Sequence, residues 1–234
     1  MTRAFRAPAV SACVALAFVI SQPPSTGAIE GRVSFEGTPP APTFVVEGGR
    51  TQQVLYVDKS GGLQYAVVYL NVSRGGPTDA PPATLNQRDF IFEPQVLAVS
   101  AGQPVRFTSD DPANHNVRSD AKGRNAFSVN TAAGSPAPPP RTFAPTSPDD
   151  PVVVSCDIHP WMIAWVYAFE RDRFSVTDAR GRFRFENVPP GQYRIGVRQP
   201  AGRLTRDVAV EVAAGRTATV DVRFTQSDLA VPTR

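Results

Sequence analysis

Side chains that bind transition metals or form cross-links are scarce here: 234 residues hold two cysteines, two histidines and two methionines. That supply excludes a disulfide framework, and without a Cys-x-x-Cys-His motif it excludes covalent haem. Helix signals are nearly absent past the N-terminal segment, which excludes a helical bundle. No later apolar run approaches the ~20 residues a membrane-spanning helix needs. The basic residues are almost all Arg and scattered among polar neighbours, with no clustered face of the kind a nucleic-acid partner requires.

The N-terminus starts Met1-Thr2-Arg3-Ala4-Phe5-Arg6, runs apolar from Ala7 to Ile20 and reaches Ser25-Thr26-Gly27-Ala28. Positive start, short apolar stretch and small-residue end predict a secretory signal over residues 1–28, with Thr26 and Ala28 at the cleavage positions. A retained anchor is the alternative, which the shortness of the run disfavours. The expected location is the periplasm or the extracellular space, with no stable membrane insertion after cleavage. Cleavage after Ala28 lowers Lys plus Arg from 24 to 22 against 21 Asp plus Glu, a net charge near +1.

Processing also removes Cys13 and Met1. What remains is Cys156, His115, His159 and Met162. Three of these share the heptapeptide Cys156-Asp157-Ile158-His159-Pro160-Trp161-Met162, and His115 stands upstream in His115-Asn116-Val117. A lone cysteine in an exported chain implies intermolecular pairing, a reactive thiol or a metal ligand, or else a small buried hydrophobe. One thiolate, two imidazoles and a weak thioether are the ligands of a blue-copper electron-transfer site. Thiolate suits Cu(I), imidazole suits both oxidation states, and the thioether tunes the potential. A Cys-x2-His-x2-Met spacing lets all three side chains converge from one tight loop between the strand Val152 to Cys156 and another over Ala164 to Phe169. The joint placement outweighs the ordinary reading of each residue as core or surface.

Short alternating runs separated by Gly- and Pro-bearing turns predict an all-β chain of sandwiches or barrels. About 206 mature residues suffice for two small domains. Arg74-Gly75-Gly76-Pro77-Thr78-Asp79-Ala80-Pro81-Pro82 reads as a boundary. The proline-rich stretch from Gly134 to Pro140 falls between the two parts of the metal motif, so it reads as a long loop inside one domain. Residues 226–234 carry no pattern and are expected to fray.

From Phe92 to Phe107 the pattern Phe92-x-Pro94-x-x-Leu97-x-Val99-x-x-Gly102-x-x-Val105-x-Phe107, with His115-Asn116-Val117 and the Cys-x2-His-x2-Met loop, resembles the cupredoxins. The loop is most similar to that of amicyanin. The resemblance covers residues 83–171 and implies a Greek-key β-sandwich holding one type 1 copper ion. By it, His115, Cys156 and His159 are equatorial ligands and Met162 is axial. Asn116 ties the two ligand loops together, and Pro160, Trp161 and Ile163 form an apolar patch where a redox partner docks, the alternative being that Trp161 plugs a core. Further on, Thr177-Asp178-Ala179-Arg180-Gly181-Arg182-Phe183-Arg184-Phe185 and Val188-Pro189-Pro190-Gly191-Gln192-Tyr193-Arg194-Ile195 resemble the carboxypeptidase regulatory-like, transthyretin-type β-sandwich. Its usual opening strands are similar to Ile29-Glu30-Gly31-Arg32-Val33 and Ala66-Val67-Val68-Tyr69-Leu70. The expectation is a second small β-sandwich built from 29–80 and 172–225 around the first domain. Consecutive domains are the alternative.

The function that follows is an exported one-electron carrier between redox protein donors and acceptors, such as a dehydrogenase and a cytochrome c. A periplasmic copper-handling protein (chaperone or sensor) and an envelope binding module with structural copper are the alternatives. An enzyme is disfavoured, because multicopper oxidases and copper nitrite reductases need further histidines that this chain lacks. Zinc fits poorly with a thioether ligand.

Overall fold

The computed structural model describes residues 25–42, 44–46, 50–72, 79–170 and 173–229. Most of the expected signal segment lies outside these, as do 74–78 of the first linker and 230–234 of the tail. Strands dominate, and two 3-10 turns, Gly123–Asn125 and Gln226–Asp228, are the helical pieces among the described residues. The chain is all-β, as its alternating pattern requires.

In chain order, β1 (Gly27–Glu36), the hairpin β2 (Phe44–Val46) and β3 (Arg50–Gln52), and β4 (Val67–Leu70) come first. They are followed by β5 (Ala83–Arg88), β6 (Ile91–Glu93), β7 (Val96–Ser100), β8 (Pro104–Ser109), β9 (His115–Ser119), β10 (Ser128–Thr131), β11 (Arg141–Thr142), β12 (Val152–Ser155) and β13 (Ile163–Phe169). The last are β14 (Phe174–Val176), β15 (Arg182–Val188), β16 (Gly191–Gln199), β17 (Leu204–Val212), β18 (Thr217–Thr219) and β19 (Val222–Thr225).

A central sandwich uses β5 to β13. One sheet runs β10-β9-β12-β13-β7, the other β11-β8-β5-β6. Leu85, Phe92, Val105, Phe107 and Phe143 from one side meet Val99, Val117, Val154, Ala164, Val166 and Ala168 from the other. A flanking sandwich uses strands from both ends of the chain. Its inner sheet is β14-β4-β16-β17, with Val68 opposite both Ser175 and Val197. In its outer sheet β1 lies antiparallel to β15 and parallel to β18 and β19, pairing Ile29 with Phe185 and Val33 with Val222. Ile29, Phe35, Leu70, Ile195, Val197 and Phe224 are among the residues of its core.

Two details differ from a plain reading of the sequence. β1 starts at Gly27 and Ala28 donates to the Arg216 carbonyl at 3.0 Å, so the strand reaches across the expected cleavage position. Gln226–Asp228, the start of the tail expected to fray, form a 3-10 turn. Thr225 and Asp228 form a reciprocal capping box, and Leu229 packs on the flanking core, which fixes the turn.

A third apolar layer joins the sandwiches. β13 alternates strictly: Ala164, Val166 and Ala168 enter the central core, while Trp165, Tyr167 and Phe169 point the other way. Successive strand residues face opposite sides of a sheet, so both faces of this strand are apolar and both are covered. The outward set meets Val67 and Tyr69 of β4 and Phe174 and Val176 of β14. Phe169 stacks on Phe174 at 5.0 Å and lies 5.5 Å from the Tyr69 ring. Tyr69 lies so close over β16 that a Cβ on Gly196 would come within 2.2 Å of its ring, so only glycine fits there. At the rim, buried Arg198 lies over Tyr69, donates to Asp207 at 2.8 Å and reaches Asp149 of the central sandwich at 2.5 Å. Phe169→Ala is expected to lower unfolding free energy by about 3–5 kcal/mol, the usual cost of emptying a buried phenylalanine site. A urea titration checks this, and a cost below about 1 kcal/mol would mean the layer contributes little.

Candidate metal centre

The site sits where three strands of one sheet end. β12 and β13 pair antiparallel down to Ser155 opposite Ile163, and β9 lies on the other side of β12 with Arg118 opposite Ser155. The seven residues from Cys156 to Met162 therefore close a loop over a fixed pair of strand ends. Two backbone bonds shape it: Cys156 N–H to the Met162 carbonyl at 3.3 Å, and Met162 N–H to the His159 carbonyl at 2.9 Å. His115 opens β9 and points into the same space.

Three donor atoms converge. Cys156 Sγ lies 3.9 Å from His115 Nδ1 and 3.7 Å from His159 Nδ1, and the two Nδ1 atoms are 2.9 Å apart. All three residues are buried, at 2%, 1% and 7% exposure for Cys156, His115 and His159. An ion about 2.0 Å from nitrogen and about 2.3 Å from sulfur, bound trigonally, separates N from S by about 3.7 Å. The two sulfur–nitrogen distances match that figure, and the shorter nitrogen pair corresponds to an angle nearer 90° at the same bond lengths. Among the described residues this is the one group of His, Cys, Asp and Glu donors compact enough to hold a metal ion. Met162 is fully buried in the core cluster that also holds Cys156. The distances fit a small transition-metal ion, and a thiolate with two imidazoles is a donor set that copper accepts.

Supports surround each ligand. His115 Nε2 lies 3.0 Å from the Asp111 carboxylate, which is itself buried, leaving Nδ1 to face the cluster. A carboxylate on the distal ring nitrogen sets tautomer and ring orientation. Burial, and then the neighbouring His159, push the His115 pKa below its ordinary 6.5, with Asp111 opposing them. Asn116 links the two ligand segments: its Oδ1 accepts from Asp157 N–H at 2.7 Å, and its Nδ2 donates to the Asp157 carboxylate at 2.6 Å. Arg118 pairs with Asp157 as well, and it and Asn116 hold that carboxyl below the usual range.

Of the patch residues, Pro160 is exposed, whereas Trp161 and Ile163 are half-buried and line the cleft between the sandwiches beside Gln52 and Gln95. The Ile163 carbonyl accepts from Gln52 Nε2 at 3.1 Å. Among the described residues, Ile158 is the large apolar side chain that reaches solvent, at 55% exposure.

Two residues at the site were not evident from sequence. Asp111 precedes His115 by four positions but reads as one more acid in a Ser-Asp-Asp-Pro turn. Phe90 occupies the two-residue turn between β5 and β6. Both turn residues have positive φ, Asp89 at 56° and Phe90 at 61°, a conformation that asparagine and glycine favour and that costs a bulky residue about 1–2 kcal/mol. The Phe90 ring stands edge-on to His115 at 5.7 Å and to His159 at 5.2 Å. Its N–H donates to Asp111 at 3.1 Å, and its carbonyl accepts from Trp161 Nε1 at 3.0 Å.

Residues 164–225 match the family model of the carboxypeptidase regulatory-like domain. The match begins within β13, which pairs in the central sandwich; the strand beside β14 and β16 is β4. No curated protein sequence matches the chain. Among solved structures, the chain is similar to a copper-containing nitrite reductase from Thermus scotoductus at 22% identity and a TM-score of 0.34. That alignment covers 42% of this chain and 25% of the reductase, so this chain spans a quarter of its length. It is similar to amicyanin from Paracoccus versutus at 15% identity and a TM-score of 0.30, covering 44% and 97% of the two chains. A purple cupredoxin from Nitrosopumilus maritimus aligns at 18% identity and a TM-score of 0.25, covering 37% and 99%.

The depressed His115 pKa has a consequence for the metal-free protein. The unfolded chain takes up the proton more readily than the folded one. The stability this group contributes is present above the unfolded histidine's pKa, near 6.5, and is lost as pH falls toward the lower folded value. Proton NMR should place His115 below 6.5 and lower still in Asp111→Asn, with the denaturation midpoint falling as the medium is acidified. A His115 titration at or above 6.5 would contradict the assignment.

Proposed function

We propose that this chain is an exported type 1 copper protein that carries one electron at a time between redox proteins. The observation that carries this reading is the convergence of Cys156, His115 and His159 in a buried space that no other donor group among the described residues resembles. Copper, when bound, supplies a one-electron couple that thiolate and imidazole accept in both states. In this reading His115, Cys156 and His159 would hold the ion, with Met162 as a further, weaker ligand. The chain's own contribution is to hold those ligands still. The loop is anchored at both strand ends, Asp111 fixes one imidazole, and the Asn116–Asp157 pair locks the two ligand segments together. A site that does not rearrange when its charge changes favours fast electron exchange.

Burial argues for a resident ion over one passed on to an acceptor, since a handed-over ion needs ligands open to a second protein. Carriage also fits the donor count better than an enzymatic role, because a catalytic copper would need histidines beyond the two present. The docking face in this proposal is the loop surface around Ile158 and Pro160, next to the His159 ring. Localisation to the periplasm or outside the cell rests on the N-terminal pattern. The central sandwich, 83–171, is proposed as a domain inserted into the flanking one, supported by the pairing of β1 and β4 with strands beyond residue 172. The flanking sandwich acts as its scaffold.

The test is the visible and EPR spectrum of the protein with one equivalent of Cu(II). An intense thiolate-to-copper band with narrow copper hyperfine splitting is expected, and Cys156→Ser should abolish it. A colourless protein, or one that takes only Cu(I), would overturn the reading.

A further inference from the structure

We propose that Phe90 is a positioning residue that closes the ligand cluster to solvent and holds its two imidazoles in register. The motivating observation is the conformation of Phe90. A phenylalanine occupies the left-handed region in a tight two-residue turn, where glycine or asparagine is the economical choice. Bulky residues persist in such a conformation where the surroundings over-determine them, and such positions gather at functional sites.

Three separate contacts hold Phe90, and each leads to a ligand. Its N–H ends on the carboxylate that orients His115, and its carbonyl accepts from the indole of Trp161, two residues from His159. Its ring meets both imidazoles edge-on, the arrangement aromatic quadrupoles favour. Trp161 also lies against His159, with ring centroids 5.3 Å apart. The β5–β6 turn belongs to the opposite sheet of the sandwich from all the ligands. It therefore clamps the cluster from outside, and the low exposure of the two histidines is what such a cap would produce. Glycine at this position would suit the turn better and leave the imidazoles open.

The test uses the fact that His115 and His159 are the two histidines of the chain. Carbethoxylation of the metal-free protein by diethyl pyrocarbonate, mapped by mass spectrometry, reads the accessibility of each ring without copper. Phe90→Gly should react several-fold faster at both histidines than the wild type while its denaturation midpoint holds. Phe90→Tyr, which keeps the ring, should react at the wild-type rate. Should Phe90→Gly lower the midpoint, Phe90→Asn, whose residue also tolerates the left-handed region, takes its place. Wild-type rates in the ring-deleted variant, or equally fast reaction in Phe90→Tyr, would overturn the proposal.

A second readout rests on the copper reading of the site. Azide should leave the blue band of the loaded wild type unchanged and perturb that of Phe90→Gly, and an equal response in both would also overturn the cap. If the wild type binds no copper, that reading fails by itself, and the carbethoxylation rates still decide the role of Phe90.

Discussion

The strand β13 is the element on which the rest of this structure depends. It is apolar on both faces: one row of small and branched side chains fills the central core, and one row of aromatics fills the layer against the flanking sandwich. Its first residue, Ile163, also closes the ligand loop by pairing with Ser155. A slip of one residue in its register would exchange the two rows, pushing Trp165, Tyr167 and Phe169 into space shaped for Ala164, Val166 and Ala168. The same slip would carry the loop end away from Cys156. Inter-domain packing and donor geometry are thus set by a single register, and that register is defended on two sides.

The site itself follows a similar economy. Each ligand is held by something that is held in turn: His115 by Asp111, Asp111 by the backbone of Phe90, and the Cys156 loop by Asn116 through Asp157. Ligands held by their surroundings in this way cost less to order around an ion, and that cost would otherwise offset the binding energy.

Much of this could be read from the sequence, and the reasons are specific. Cys156, His159 and Met162 share one short loop in a chain almost bare of other donors, and together with His115 and the pattern from Phe92 to Phe107 their spacing carries the signal. The alternation in Ala164 to Phe169 marks a strand, but periodicity does not say what covers its second face. The aromatic layer against Tyr69 and Phe174 was therefore not legible. Residue chemistry misleads at Phe90, since Asp89 tolerates a left-handed turn but a phenylalanine after it does not ask for one. Asp111 and Arg198 look like surface charges until the fold encloses them. In each case the missing information is tertiary: which distant surface comes to rest on the residue.

The route of β1 carries a consequence for how the molecule assembles. Its neighbours β15, β18 and β19 lie more than 140 residues further along the chain, so the outer sheet cannot close until its last members are available. The strands between them form nearer contacts that need not wait. Pairings so remote in sequence are slow, and while they are pending β1 and β4 present open edges. The polypeptide thus gains a timetable from its topology, with the donor-bearing part free to mature first and the enclosing part sealing it last. Conditions that delay the final strands would prolong the exposure of those early edges.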